Sequence, residues 1–385
     1  MSSVAGEVAR FCGDVLAHAP RPDHDTVYDD RHPLWQKFAA AGLANWWVPE
    51  RFGGAGASTV DGVRIAAEIA YHDPGFAFTS FLPVLASRML ELYGGPGLAQ
   101  EHLRGLVSSG GFCAALGSEA VAGSELTNTA TTFRRTGDVL VLNGEKAFST
   151  NLAFARFCLV LARADDDPRE FAMILVPAGA EGFEAGPRWR MSGLLGTGTH
   201  PATFTDCVVP AANELAGSGI RILEVGLNAS RIMMAAMAVG MIRRLRDLHM
   251  AYAADKRLGG RPLTRNAIFA ARLGQLEMEL ETVKSQCHRA ALDYDELHRA
   301  PDAGAAFLAG GVLKSAVVAK MHAGQTGWRI ASTASESFGG LGYTEQHDVQ
   351  WLLRSMRHIS IVEGGDDVLR DLIYGRYVKR PSRRG

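Results

Sequence analysis

The chain has 385 residues, of which 47% are apolar and 21% charged, and its formal net charge is -1 at pH 7. A chain of this length exceeds one ordinary hydrophobic core, so two or three domains are expected. The near-zero net charge gives no support for a nucleic-acid or anionic-membrane partner. Five widely spaced cysteines without a Cys-x-x-Cys pair predict reduced thiols, a cytoplasmic location and no metal site.

The first part of the chain, residues 1–112, is predicted to be helical. Amphipathic patterns predict helices over residues 5–17, 34–43 and 59–71, and residues 76–93 form a strongly apolar, buried segment. No signal peptide and no membrane span are predicted, because the N-terminus lacks an apolar core region and no apolar run is long enough.

The hydrophobic pattern changes from helical to alternating in residues 113–217, which predicts a β domain. Gly137 and Asp138 separate two short strands, a signal typical of a hairpin. Further strands are predicted at residues 157–162, 171–176 and 202–209. Residues 218–385 return to a helical pattern, with long helices predicted at 221–255, 266–298 and 303–337, which indicates an antiparallel bundle.

One carboxylate near the end of the chain is the candidate for chemistry. Glu363 closes an apolar run, and Gly364 and Gly365 separate it from a last helix that Asp366 and Asp367 are expected to open. Such an acid is either a general base aimed into an apolar pocket or a helix cap, and spacing alone favours the cap.

Three other features are weak by themselves. Phe148 and Thr150 lie two positions apart in an extended segment, so they face a planar ligand or belong to an ordinary edge strand. The basic break at Lys256 and Arg257 contacts a phosphate or merely complements a helix end. Arg231 lies on an apolar helix face and needs a partner unless it reaches the surface.

Taken in order, these motifs resemble the acyl-CoA dehydrogenase family over essentially the whole chain. The resemblance is carried by residues 48–54, 142–151, Arg231 and its helix, and 339–343, followed without a gap by Arg354 and Glu363-Gly364. It implies a mainly α fold with an N-terminal helical domain, a middle β-barrel-like domain and a C-terminal four-helix bundle. It also implies a homotetramer or homodimer with FAD at the subunit interfaces.

The resemblance assigns site residues position by position. Glu363 falls on the usual catalytic base, whereas the position used for the base by some members holds Ser230, which cannot serve. The implied substrate-binding residues are Ser124, Arg231, Glu363 and Gly364. The implied FAD-binding residues are Leu116, Ser118, Ser124, Phe148, Ser149, Thr150, Lys256, Arg257, Glu336, Gly339, Gly340, Gly365 and Asp367.

Several positions depart from the family pattern. The loop that begins at Ala115 is one residue longer than usual, Phe148 replaces a common tryptophan, and Lys256 replaces an arginine at the diphosphate. Glu336 stands for a glutamine and Gly365 for a threonine.

The implied reaction is desaturation of an acyl thioester. Glu363 removes the α proton, flavin N5 takes a hydride from Cβ, and a backbone N–H at the base with a ribityl hydroxyl stabilises the enolate. We expect burial to raise the Glu363 pKa above the opposing effect of the helix start only once substrate fills the pocket.

The acyl group, the carrier, the position of the double bond (α,β or further along the chain) and the electron acceptor stay open. The carrier is CoA or acyl carrier protein, as in relatives that make polyketide extender units, and an electron-transfer flavoprotein is the expected acceptor. The alternatives are a flavin oxidase or monooxygenase of the same fold, or a non-catalytic acyl-carrier-binding relative.

Overall fold

The structure is a computed structural model that describes residues 3–123 and 125–379. Two sets of helices flank a sheet, as the resemblance implies. The helices are α1 (Val4–Asp14), α2 (Pro33–Ala40), α3 (Thr59–His72), α4 (Pro74–Phe81), α5 (Val84–Tyr93), α6 (Pro96–Ser109), α7 (Gly219–Asp255), α8 (Ala267–His298), α9 (Ala303–Gly310), α10 (Lys314–Ser337), α11 (Asp348–Ile359) and α12 (Asp366–Ile373). The strands are β1 (Phe112–Leu116), β2 (Thr132–Thr136), β3 (Val139–Thr150), β4 (Ala155–Ala164), β5 (Phe171–Pro177), β6 (Phe183–Ala185), β7 (Thr199–Pro210), β8 (Arg257–Leu258) and β9 (Arg261–Pro262).

The predicted apolar segment at residues 76–93 consists of two buried helices. Asp73 caps α4 by accepting a hydrogen bond from the Phe76 N–H at 2.9 Å, and Pro74 occupies the first helical position. Pro83 then separates α4 from α5, since a proline can begin a helix but cannot continue one.

The middle domain is a mixed sheet. Within the described residues its strand order is β1-β4-β2-β3-β7-β6, with β5 paired to β4. The β2–β3 hairpin forms as predicted, with Thr136 opposite Val139 and Gly137 at a φ of +59° in the turn. β3 and β7 pair as far as Thr150 opposite Thr199, and the next residue, Asn151, contacts Thr79 of α4.

The helix α7 runs through the centre of the molecule and packs against α3, α8 and α10. It is long and apolar enough to cross a membrane, but 94% of its most apolar window is buried inside the protein. Its burial against neighbouring helices is what the core helix of a globular domain shows.

The prediction of one helix over residues 303–337 was wrong. The segment bends by 65° between α9 and α10, where Gly311 has a φ of +63°. Asn228 of α7 stabilises the break by donating to the Gly311 carbonyl and accepting from the Leu313 N–H, both at 2.9 Å. Because this support comes from another helix, the local pattern did not reveal it.

Candidate active site

Glu363 has an unusual backbone conformation in the turn between α11 and α12. Its φ is +54°, in the left-handed region, and Gly364 follows at +93°. A left-handed residue other than glycine costs on the order of 1 kcal/mol and persists only where neighbours hold it. Arg231 of α7 donates to the Glu363 carbonyl from Nε at 3.1 Å and from Nη2 at 2.9 Å. The structure therefore places Arg231 behind the acid as its support.

The two carboxylate oxygens of Glu363 have different surroundings. Oε1 accepts a hydrogen bond from the Ser230 hydroxyl, whereas Oε2 is enclosed and has no hydrogen-bond partner among the described residues. An enclosed, unpaired carboxylate oxygen is costly unless it binds a proton or a ligand. Oε2 is thus the atom that is free to accept a proton.

Burial raises the pKa of Glu363 to about 7, and the positive charges of Arg231 and Lys320 offset only part of this effect. Our expectation that burial would dominate only in the presence of substrate was therefore wrong. The protein's own residues are enough to enclose Oε2 of this carboxylate. A carboxyl group with a pKa near the working pH is suited to general acid–base chemistry.

The end of β3 carries the predicted flavin segment. The Phe148 ring is 57% exposed, and the Ser149 hydroxyl is enclosed without a partner among the described residues. The hydroxyls of Thr150 and Thr199 lie 3.0 Å apart across the β3–β7 pair. Phe148 and Thr150 are on one side of the strand, as their spacing predicts.

Sequence reasoning missed Trp189, which lies beside this strand. Its ring centroid is 5.2 Å from that of Phe148, and its indole N–H donates to the Ala147 carbonyl at 2.8 Å. No local pattern indicated this contact, because 40 residues lie between Phe148 and Trp189 in the sequence.

Helix α4 connects the end of β3 with the Glu363 turn. The Asn151 side-chain amide donates to the Thr79 carbonyl at 3.1 Å. On the same helix, the Phe78 ring packs edge-on against His358 at 4.8 Å, and the His358 carbonyl accepts from the Val362 N–H at 3.2 Å. The predicted flavin segment and the turn that carries the predicted base therefore both lie next to α4.

Polar atoms without partners collect in this region. Besides Ser149, the Thr79 hydroxyl and the Asn151 side-chain oxygen are enclosed and unpaired within the described residues. Buried polar groups are nearly always satisfied, so unpaired ones mark a place for a polar ligand. A flavin ring, which carries several donors and acceptors on one edge, fits these residues.

The loop after β1 is held by a buried ion pair. Lys146 of β3 donates to Glu119 at 2.7 Å, and Glu119 also accepts from the N–H and hydroxyl groups of Thr131. Burial opposes ionisation, but hydrogen bonds from Lys146 and Thr129 lower the pKa of Glu119 to about 2. The loop thereby stays fixed to the strand that carries Phe148.

The other predicted cofactor residues near the site have varied surroundings. The Leu116 side chain is buried in the core of the sheet domain, so only its backbone is left for a cofactor. The Ser118 carbonyl accepts from the Ala147 N–H at 2.9 Å. Ser124 lies outside the described residues. Gly365 caps α12, and Asp367 is exposed and paired with Arg370.

A second group of predicted FAD residues lies at the far end of α7: Lys256, Arg257, Glu336, Gly339 and Gly340. From Arg231 to Asp255 the helix rises about 36 Å at 1.5 Å per residue. A groove of about 400 Å³ there is lined in part by Tyr252, Lys256, Phe338 and His347. The structure does not bring this group together with Glu363 inside one subunit.

Comparisons with known proteins agree with this geometry. Family models match the three parts of the chain: the N-terminal domain of acyl-CoA dehydrogenases over residues 2–110, the middle domain over 114–207 and the C-terminal domain over 217–378. The chain belongs to the acyl-CoA dehydrogenase family. This confirms the predicted fold, the class of oxidoreductases acting on acyl thioesters, and FAD as the cofactor of that class.

Individual relatives cover this acyl-CoA dehydrogenase almost completely. The probable acyl-CoA dehydrogenase YngJ of Bacillus subtilis (strain 168) is 28% identical over 373 residues, 94% of each chain. A Bacillus anthracis acyl-CoA dehydrogenase complexed with FAD has a TM-score of 0.87 at 23% identity, covering 97% of this chain and 67% of the other. The prolyl acyl carrier protein oxidase AnaB has a TM-score of 0.86 at 21% identity and covers 97% of both.

Proposed function

We propose that this enzyme desaturates an acyl thioester, with Glu363 removing the proton from the α carbon. The observation that carries the proposal is the free, enclosed Oε2 of Glu363, whose pKa of about 7 keeps a useful fraction ionised at neutral pH. Ser230 holds the other oxygen, so the carboxylate has one orientation and one reactive atom.

The backbone at the same residue provides the second element of the chemistry. The Glu363 N–H has no acceptor among the described residues. Arg231 fixes the carbonyl of the same residue. An N–H held in place before substrate binds can donate to the thioester oxygen as negative charge develops on it. Base and donor thus belong to one clamped residue.

FAD fits the residues at the end of β3. We assign Phe148 to packing on the ring, the Thr150 hydroxyl and the Ser149 backbone to its polar edge, and the Leu116 and Ser118 backbone to the adjoining loop. Bound there, FAD supplies the acceptor for the hydride that leaves Cβ. Gly365 and Asp367 are kept as cofactor contacts on the strength of the resemblance alone.

The distant group formed by Lys256, Arg257, Glu336, Gly339 and Gly340 supports a shared cofactor site. An added Cβ at Gly339 or Gly340 would meet open space, and Lys256 and Arg257 are exposed. We assign these residues to the diphosphate and adenosine of a partner subunit's FAD, which requires a homodimer or a homotetramer built from such dimers.

The substrate carrier is CoA or acyl carrier protein, and likeness to AnaB, an acyl carrier protein oxidase, supports testing both. An electron-transfer flavoprotein is the proposed acceptor and the cytoplasm the proposed location, since all five cysteines are free and buried.

The deciding experiment is an anaerobic titration of the FAD-loaded enzyme with a panel of acyl-CoA and acyl-carrier thioesters. We expect one carrier class to bleach the flavin and yield an α,β-unsaturated product. Bleaching by no member of either class would contradict the proposal. Hydrogen peroxide, or a product containing oxygen from air, would instead identify an oxidase or a monooxygenase.

A further inference from the structure

Lys320 of α10 is a fully buried lysine in the described part of the chain, and it is next to the proposed base. Its ammonium group donates to the Gly364 carbonyl at 2.7 Å. Burying a lysine is expensive, so such residues are rarely found without a specific partner. The resemblance assigned no role to this position.

Lys320 and Arg231 bind consecutive carbonyls of the same turn. Arg231 binds the carbonyl of Glu363, and Lys320 binds the carbonyl of Gly364. Glu363 and Gly364 are the two residues of this turn that have a positive φ. Fixing both carbonyls fixes two successive peptide planes, the one between Glu363 and Gly364 and the one that follows Gly364, because each peptide bond is planar. The turn cannot relax to an ordinary conformation without breaking one of these charge-assisted bonds.

Helix α10 is shaped to bring Lys320 this close. One turn further along, a Cβ at Gly324 would lie 2.7 Å from the Ser360 hydroxyl and 3.3 Å from the Ser360 N–H. An alanine here would require the Ser360 hydroxyl to rotate and the corner after α11 to move by a few tenths of an ångström. Gly324 and Lys320 therefore act together on the segment that leads to Glu363.

We propose that Lys320 is a positioning residue for the reaction: with Arg231 it clamps the Glu363–Gly364 turn and so orients the carboxylate and the N–H of Glu363. The proposal rests on the function assigned to Glu363 above. The charged groups that surround Lys320 are Glu363, Arg231 of α7 and Asp366 of α12, with His358 of α11 beside them.

The charge of Lys320 has a second effect, which a merely structural residue would not have. It lowers the pKa of Glu363 against the effect of burial. Removing the charge should therefore raise that pKa by about one unit, given how strongly nearby charges act in enclosed sites. The rising limb of the pH–rate profile should move by the same amount.

The test compares Lys320→Met with Lys314→Met, which removes the same charge from an exposed position on the same helix. We expect K320M to keep FAD, to lose at least about tenfold in flavin-bleaching rate at pH 7, and to shift the rising limb upward. K314M should match the wild type. Lys320→Arg, which keeps the positive charge, should keep the rising limb of the pH–rate profile at its wild-type position. A K320M enzyme with the wild-type rate and limb would overturn the proposal.

If K320M does not fold, Gly324→Ala tests the close approach of α10 to the segment before Glu363, with the charge of Lys320 retained. We expect a lower rate with the limb unmoved, and the wild-type rate in G324A would contradict the proposal. For each protein, the pH dependence of the unfolding temperature is compared with that of the same protein carrying Glu363→Gln. This comparison reports the Glu363 pKa without any turnover. Failure of the proposed function would appear separately, as a wild-type enzyme that no thioester bleaches.

Discussion

Ser230 of α7 donates its hydroxyl to one oxygen of Glu363, across 132 intervening residues of sequence. This bond leaves the other oxygen as the proton acceptor and stabilises the ionised form. Ser230→Ala should therefore raise the Glu363 pKa and lower the bleaching rate at pH 7 by about ten- to hundredfold, the range that corresponds to a lost hydrogen bond to a charged group. Ser108→Ala, on the exposed face of α6, is the control. An unchanged pH profile in S230A would show that this bond does not act on the base.

Glu363 should also make folding stability depend on pH. Its folded pKa of about 7 lies above its ordinary value of 4.5, so the folded state binds the proton more tightly than the unfolded chain. This contribution is complete below pH 4.5 and is lost as the pH rises through 7. Glu363→Gln removes this dependence. The unfolding temperature of the variant minus that of the wild type should therefore increase from pH 5 to pH 8. Parallel curves for the two proteins would contradict the raised pKa.

The buried pair of Glu119 and Lys146 should have the opposite pH dependence. The Glu119 pKa is lowered to about 2, so its stabilising effect is present above 4.5 and is lost as the pH falls through 2. Glu119→Gln leaves Lys146 without its charge partner, and breaking such a buried pair costs about 3 to 5 kcal/mol. Urea unfolding at pH 7 measures this loss. The double variant Glu119→Gln/Lys146→Met should be less destabilised than the sum of the single changes, and strict additivity would rule out the coupling.

The shared cofactor site predicts that two inactive variants restore each other. In a mixed dimer of Lys256→Glu and Glu363→Gln, one of the two sites combines an intact Glu363 with an intact Lys256 from the partner subunit. Unfolding and refolding the two proteins together should regain activity that neither shows alone. A mixture that stays inactive while FAD binds would mean that both residues act within one subunit.

The sequence indicates features that neighbouring residues determine, and it misses those that distant residues determine. The hairpin at Gly137 and the start of α12 follow from local chemistry, and both form as predicted. The break at Gly311 depends on Asn228 from another helix, so periodicity alone joined α9 to α10. The position of Glu363 was predictable from the motif, but its raised pKa was not, because burial depends on how the whole bundle packs.

Two site features left traces in the sequence that are clear only in the structure. Lys320 stands on the apolar face of α10 among Ala316, Ala319 and Ala323, where a lysine is out of place. Trp189 lies in an irregular segment before β7, and nothing in its neighbourhood indicates Phe148 as its partner. Lys320 could be detected from the sequence by asking which charged residues fall on the apolar face of a predicted helix. The second requires the tertiary fold.

Glu363 is the base on which the whole proposed reaction depends, and a single-turnover measurement tests this role directly. FAD-loaded wild-type and Glu363→Gln enzymes are mixed anaerobically with a thioester that bleaches the wild type, and flavin absorbance is followed in time. We expect the variant to bind FAD and substrate normally but to bleach at least about 100-fold more slowly, the usual effect of removing a general base. Bleaching of Glu363→Gln at the wild-type rate would contradict the assignment and the mechanism derived from it.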